Sequence, residues 1–209
     1  MDQTAICNLA LMRLGITQTI ASIDDPNTTA RSCKAVWEPC VTTMLRERPW
    51  PFAVRQVDLA LVGQEIMAGW FYSYRYPSDF IVVNRVNPTM VTSGATSIYV
   101  SSDRRHDPQT YPFQIGSDAS GRLIHSDVDD AVCEGTVYIS DTGLYDPMFS
   151  SALAWYVAAE ISLGLTKNAS LYANAFQRYQ EVSSEAFATG MNEQKPRAAA
   201  DADMVQARD

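Results

Sequence analysis

The sequence predicts an α+β fold: a bundle of about four helices, an N-terminal pair plus a C-terminal pair, with an antiparallel β region inserted between the pairs. Two observations predict it. Apolar residues recur at helical spacing before residue 50 and after residue 145, and the segment between has short alternating runs bounded by turn residues. We therefore expect a helical bundle at 1–50 and 145–190, a β-rich insertion at 51–144, and a flexible tail or docking arm at 191–209.

Two helices are predicted before residue 50. The first covers residues 3–14 and ends at Gly15. The second starts near Thr28, and its apolar stripe continues in phase on both sides of Pro39, so we keep one helix despite the hydrogen bond that this proline removes. The stripe consists of Ala30, Cys33, Trp37, Cys40, Val41, Met44 and Leu45.

A stiff corner follows the second helix, where two prolines flank a tryptophan. Neither proline donates a backbone hydrogen bond, and each disfavours helix in the residue before it. The helix should therefore end near Arg48, and Trp50 should be a buried packing anchor. The predicted corner consists of Pro49, Trp50, Pro51 and Phe52.

The predicted β region is a meander of short strands separated by Gly, Pro and Asp clusters. Its exposed loops are expected at 103–108 and 127–130. The strands are predicted at 52–61, 70–76, 80–86, 97–101, 111–115, 122–126 and 136–140, and the run at 80–86 is also compatible with a short helix.

The C-terminal pair begins at Asp146, an N-cap residue, followed by Pro147 at the first helical position. This third helix is apolar nearly all round, which predicts the central buried helix. The fourth helix should run from about Ala169 to Ala188 and end at Gly190. Its apolar stripe includes Tyr172 and Tyr179.

Composition limits the classes of function. The net charge of −8 argues against nonspecific capture of nucleic acid, because phosphate binding is built on Lys and Arg. No apolar run approaches the ~20 residues of a membrane span. Four cysteines without CxxC spacing indicate buried free thiols, and zinc is not expected. We predict no metal and no cofactor.

Three groups of residues are candidates for chemistry, and each has a structural alternative. His125 and Asp127 would share a face of an extended strand and could form an acid–base pair; a polar strand end next to an acidic loop explains them better. Asp127, Asp129 and Asp130 could bind Ca²⁺, but the twelve-residue calcium loop is missing, so solvated loop residues are favoured. The aromatic residues could stack on bases or sugars. Because no basic groove lies beside the aromatic residues of 70–76, we expect them to make core or subunit contacts. Together with two tyrosines of the predicted fourth helix, the candidate contact residues are Trp70, Tyr72, Tyr74, Tyr76, Tyr172 and Tyr179.

An ordered set of motifs resembles the tail tubular protein A, or head–tail adaptor, family of short-tailed bacteriophages. The similarity covers roughly residues 3–190. Its two most specific parts are the end of the second helix and the approach to the third. The motifs are Ala5-Ile6-Cys7-Asn8-Leu9-Ala10-Leu11, Leu14-Gly15, Arg46-Glu47-Arg48-Pro49-Trp50-Pro51-Phe52-Ala53, Tyr74-Arg75-Tyr76-Pro77-Ser78-Asp79 and Tyr145-Asp146-Pro147-Met148-Phe149.

The resemblance implies a structural virion protein with no catalytic residues. It implies a ring of twelve subunits between the portal protein and the tail nozzle protein, assembled in the host cytoplasm, with genomic DNA passing through the lumen. The helical part would then face the portal and the β part the nozzle. Two alternatives stay open: a small cytoplasmic hydrolase that uses His125 with nearby carboxylates, and another tail component such as a stopper.

Overall fold

The computed structural model describes residues 1–89 and 111–193. Over these residues it has four α-helices and two antiparallel sheets, so the predicted α+β class is confirmed. The strand expected at 97–101, the loop expected at 103–108 and most of the expected tail at 191–209 lie outside the described residues.

The N-terminal helices begin and end where their capping residues indicate. The Asp2 carboxylate accepts from the Ala5 N–H at 2.7 Å, and Gly15, with φ +75°, follows the first helix. The Asn27 side chain accepts from the Ala30 N–H at 2.7 Å at the start of the second. These helices are α1 (Gln3–Arg13) and α2 (Thr28–Glu47), the latter with Pro39 inside it.

The third helix, α3 (Pro147–Thr166), starts as predicted. Asp146 accepts from the N–H groups of Met148 and Phe149, and Pro147 occupies the first position. The helix ends at Lys167, whose φ of 55° is left-handed. By length and composition α3 could also cross a membrane. More than half of that apolar window is buried inside the protein, which a central core helix also explains.

The fourth helix, α4 (Ala169–Glu193), is longer than predicted. Gly190 does not end it, which corrects the expected stop. One glycine inside a helix costs only about 1 kcal/mol relative to alanine, too little to break a helix that packs along one face. At Gly190 a Cβ would already lie 3.9 Å from the Pro51 ring, so this part of α4 passes close to the corner.

The strands differ most from the prediction at two places, and the other described strand ends shift by no more than three residues. After Pro51 the chain forms a short 3-10 turn to Ala53, so the long strand expected at 52–61 is two shorter ones. The last strand starts at Ala131, earlier than residue 136, because the turn closes at Asp130 with φ 45°. The strands are β1 (Val54–Asp58), β2 (Leu61–Gln64), β3 (Tyr72–Arg75), β4 (Phe80–Pro88), β5 (Phe113–Asp118), β6 (Gly121–Ser126) and β7 (Ala131–Val137).

The strands form two sheets. One has the order β1-β7-β4 and the other the order β2-β3-β6-β5. In the second sheet β3 pairs with β6 through Ser73 and His125, and β5 pairs with β6 through Gln114 and His125. His125 therefore lies on the strand that β3 and β5 flank.

The chain divides into two compact units. Unit 1 comprises Met1–Arg55, Asp79–Val82 and Thr136–Asn192; unit 2 comprises Gln56–Ser78, Val83–Gly135 and Glu193–Asp209. In unit 1, α3 packs against α1 and α2 and ten of its side chains are buried, as predicted for the central helix. All four cysteines are buried and free. Burial raises the pKa of the Cys40 and Cys133 thiols to about 12, so both stay protonated at neutral pH.

Candidate functional site

The corner residues form the edge of an aromatic cluster in unit 1. Trp50 is 2% exposed, and its ring meets Phe149 edge-on at a centroid distance of 4.9 Å. Phe52 also meets Phe149 at 4.9 Å and Tyr145 at 5.6 Å. The indole N–H of Trp50 donates to the Met44 carbonyl at 2.8 Å. Trp50 is thus a buried packing residue whose polar atom is hydrogen-bonded.

His125 is paired with a serine and not with the aspartate that the sequence suggested. Its Nδ1 lies 2.8 Å from Ser73 Oγ, and both residues are almost fully buried. The other side of the ring lies against Gly116. Asp127 turns to the backbone, where its carboxylate accepts from the Phe71 N–H at 3.0 Å. The His125–Asp127 acid–base pair, the less favoured interpretation of these two residues, is therefore not formed.

A serine–histidine hydrogen bond is the core of many nucleophilic sites, but such a site also needs a third group that orients the base, and access for a substrate. Ser73 is 0% exposed and His125 is 3% exposed. The pair is therefore a buried hydrogen-bonded contact within the sheet β2-β3-β6-β5.

Two of the three aspartate carboxylates at the 127–130 turn, those of Asp127 and Asp129, accept hydrogen bonds from backbone N–H groups. Asp129 accepts from the N–H of Asp130 at 3.0 Å, and the Asp130 carbonyl accepts from the N–H and hydroxyl of Thr89. Over the described ranges 1–89 and 111–193, no group of three His, Cys, Asp or Glu side chains can hold a metal ion.

Three of the six candidate residues, Tyr74, Tyr76 and Tyr179, are buried within the chain and make core contacts, one of the two alternatives expected for them. Tyr74 is 1% exposed and its hydroxyl donates to the Val128 carbonyl at 2.6 Å. The Arg122 guanidinium covers the Tyr76 ring at 3.7 Å. Tyr179 donates its hydroxyl to the Glu47 carboxylate. The alternation of residues along a strand and the apolar stripe of a helix identify apolar faces. They do not show which of these faces is already buried by other parts of the same chain.

The other three candidates keep some exposed surface. Trp70 donates its indole N–H to the Gln114 amide oxygen at 3.1 Å. Tyr72 stacks beside Tyr74 at 6.2 Å, and Tyr172 stacks on Phe176 at 5.9 Å. Each ring is held on one side and half-buried, so only Trp70, Tyr72 and Tyr172 can still contribute to a contact with another molecule.

An exposed apolar loop in unit 2 was not identified from the sequence. It joins β2 to β3, comprises residues 65–71, and is called the hairpin tip below. The N–H of Glu65 donates to the Phe71 carbonyl at 2.9 Å, and Gly69 adopts φ +90°, so the loop is a closed turn. Ile66 is 53% and Phe71 is 61% exposed. The sequence signal was present: Ile66-Met67-Ala68-Gly69-Trp70-Phe71 is an apolar run at a turn.

A groove of about 480 Å³ lies in unit 1 between α1, α3 and α4. We call it the Arg13 groove. The Arg13 guanidinium donates to the Ser151 carbonyl at 2.6 Å and to its hydroxyl at 2.8 Å, and lies 4.2 Å above the Trp155 ring. The lining residues are Arg13, Leu14, Trp155, Leu171, Asn174, Ala175, Gln177, Arg178 and Glu181.

The groove contains the half-buried positive charge of Arg13. Within the described part of the chain, no carboxylate forms an ion pair with Arg13. Burial lowers the pKa of Arg13 to about 10, which still leaves it charged at neutral pH. Arg178 at the rim pairs with Glu181 at 2.9 Å. The groove thus offers a half-buried cation, an indole and aliphatic side chains to a partner.

Comparison of the chain with protein-family models and with curated protein sequences found no match to either.

Proposed function

We propose that this protein is a structural subunit of a virion, a head-to-tail adaptor that forms a ring between portal and tail nozzle in a short-tailed phage. One observation carries the proposal beyond the motif order. The two most specific motifs of the resemblance contact each other in unit 1. Trp50 and Phe52 from the first meet Phe149 from the second, each at 4.9 Å. Because they form one cluster, a single structural requirement explains both motifs.

The charge and the polar groups support a passive role beside DNA. A net charge of −8 disfavours adhesion of phosphates to the protein, as a conduit for ejected DNA requires. Three polar residues that the sequence offered as candidates for chemistry make structural hydrogen bonds in the described part of the chain. Asp127 and Asp129 accept from backbone N–H groups, and His125 is bonded to Ser73. Assembly in the cytoplasm and residence in the tail belong to the same proposal.

Electron microscopy tests the proposal. We expect negatively stained samples of the protein, alone or co-expressed with the portal protein of the same phage, to contain annular particles. Portal alone is the control, because it forms rings itself; the adaptor must add a layer of density to one face. Absence of annular particles from the protein alone, together with unchanged portal rings in the mixture, would overturn the proposal.

A hydrolase is the second candidate function. The 2.8 Å contact between Ser73 and His125 is the one feature that favours it, and the burial of both residues counts against it. Turnover of an activated ester by the wild-type protein, lost in His125→Ala and kept in Asp127→Asn, would support this candidate. Assembly with portal that is the same in His125→Ala and in the wild type would support the adaptor.

A further inference from the structure

We propose that the hairpin tip of one copy docks in the Arg13 groove of a second copy. This inference deepens the proposed function and rests on it in one respect: a ring needs a contact between two different surfaces, repeated from subunit to subunit. The partner is therefore a second copy of this chain, and the contact is head-to-tail.

The hairpin tip has the chemistry of an inserted anchor. Phe71 and Ile66 each expose more than half of their surface, beside the half-buried Trp70. Interface energy concentrates in a few aromatic and large apolar side chains that enter a partner's pocket. The tip is also held in shape, since Phe71 bonds Glu65 through its carbonyl and Asp127 through its N–H. A preformed loop loses little conformational entropy on binding.

The charges around the tip are negative. Glu65 lies in the tip, and the exposed Asp127 lies against its backbone at 3.0 Å. Residues 61–71 contain no Lys or Arg. An interfacial anchor for anionic lipid carries basic residues beside its apolar ones, so these charges favour a protein partner over a membrane.

The Arg13 groove is complementary in both respects. Its volume of about 480 Å³ falls within the roughly 300–1,000 Å³ of pockets that hold small ligands. Trp155, Leu171 and Ala175 give it an apolar wall, and Arg13 brings a cation without a carboxylate partner among the described residues. An aromatic residue flanked by carboxylates satisfies both features. Opposite charges then fix the orientation in which two copies meet.

Four variants separate the two surfaces. Phe71→Ser removes the anchor, and Arg178→Glu places a second acid beside Glu181 at the rim; both residues are exposed, so neither change disturbs the core. Leu144→Ser is the control for the first, with an exposure of 55% against 61%. Lys34→Glu is the control for the second, because Lys34 is also a paired base with 61% exposure against 64% for Arg178. Equal melting temperatures check the fold.

Self-association is measured by sedimentation velocity and by electron microscopy, alone and with portal. We expect Phe71→Ser and Arg178→Glu each to raise the dissociation constant about 30-fold, as loss of an interface hot spot does, while both controls stay within about twofold of the wild type. A mixture of the two variants should stop at dimers. The Phe71→Ser copy keeps an intact groove and the Arg178→Glu copy an intact tip, so one good contact remains.

The outcomes distinguish the inference from the proposed function. Rings that form equally well with Phe71→Ser or with Arg178→Glu would overturn the docking mode and leave the adaptor in place. A mixture that forms only homodimers of Arg178→Glu would show tip-to-tip contact and overturn the docking mode too. Tip-dependent dimers without annular particles in the presence of portal would overturn the adaptor and leave the docking mode. A wild-type protein that stays monomeric in every condition would overturn both.

Discussion

The imidazole of His125 fills the space where a side chain on Gly116 would stand. A Cβ built on Gly116 would lie 2.4 Å from Nε2 and 3.0 Å from Cδ2 of that ring. The ring cannot swing away freely, because Nδ1 is bonded to Ser73 and the residue is 3% exposed. Gly116 does not have a positive φ. The position therefore needs glycine for space and not for backbone conformation.

Gly116→Ala should destabilise the protein by about 1–3 kcal/mol, as overpacking of a closed site does. Urea denaturation followed by circular dichroism measures the change in free energy of unfolding. In a His125→Ala background, Gly116→Ala should cost less than it does in the wild type, because the ring that collides with the new methyl group is gone.

Gly164→Ala is the matched control. This glycine lies in α3 with no atom within 4 Å of a built Cβ, so alanine meets no clash. We expect a gain of roughly 0.5–1 kcal/mol from its better helix propensity. A Gly116→Ala protein as stable as the wild type would mean that β5 or His125 moves aside without cost.

Trp50→Ala should cost roughly 3–5 kcal/mol, because it removes a buried indole and leaves a cavity. The lost contacts include the edge-on rings of Phe149 and Phe187, at 4.9 Å and 5.7 Å. Trp50→Phe should cost less, since one aromatic ring remains, although the bond to the Met44 carbonyl and part of the packed volume are lost. An unchanged melting temperature for Trp50→Ala would contradict the packing role.

Acid should weaken unit 2 through Asp118. Two hydrogen bonds of 2.9 Å from Arg75, with further bonds from backbone N–H groups, lower the pKa of this carboxyl to about 2. In the unfolded chain the pKa is about 3.9. Between these values the unfolded state binds more protons, so stability rises with pH. The contribution is complete above about pH 4 and is lost as the pH falls through 2.

Asp118→Asn should flatten this part of the stability–pH curve, measured by urea denaturation from pH 5 to pH 2. The effect is small, because both partners are one-third exposed and solvent screens the pair. Asp24→Asn is the control: Asp24 pairs with Lys34 in a more exposed contact. Equal slopes for Asp118→Asn and the wild type would show that Arg75 does not hold the carboxylate in solution.

The helices were predictable because their signals are local. Asp146 and Pro147 mark the start of α3 within two residues, and the stripe of α2 carries it past Pro39. The contacts that decide the candidate sites are not local. Ser73 and His125 are 52 positions apart, and strand pairing alone brings them together. No spacing rule in the sequence identifies that partner.

The two docking surfaces also could not be predicted from the sequence alone. The Arg13 groove is assembled from three helices, and no single stripe encodes its depth. The hairpin tip is visible in the sequence as an apolar run, but the exposure of its side chains depends on how β2 pairs with β3. Tyr72 and Tyr74 belong to the same aromatic run in the sequence, yet Tyr74 is buried and Tyr72 is half-buried. Burial depends on partners that only the fold supplies.

Tyr179 joins α4 to the end of α2, and its hydroxyl should matter for stability. It donates to the Glu47 carboxylate, and its ring, 3% exposed, stacks on Tyr156 at 4.6 Å. Tyr179→Phe keeps the stacking and removes a hydrogen bond to a charged group, so we expect a loss of about 1.5–3 kcal/mol. Tyr172→Phe is the control, since that ring is half-exposed and stacked on Phe176.

Alkaline pH gives the same contact a second readout. Burial first, and then the bond to Glu47, raise the pKa of Tyr179 above its usual range. Above about pH 10 the unfolded chain releases this proton while the native protein keeps it, so stability falls as pH rises. The stabilisation is therefore complete below pH 10. Tyr179→Phe should make stability fall less steeply between pH 9 and 11 than it does in the wild type. A slope equal to that of the wild type would mean that the Tyr179 hydroxyl is neither buried nor bonded to Glu47 in solution.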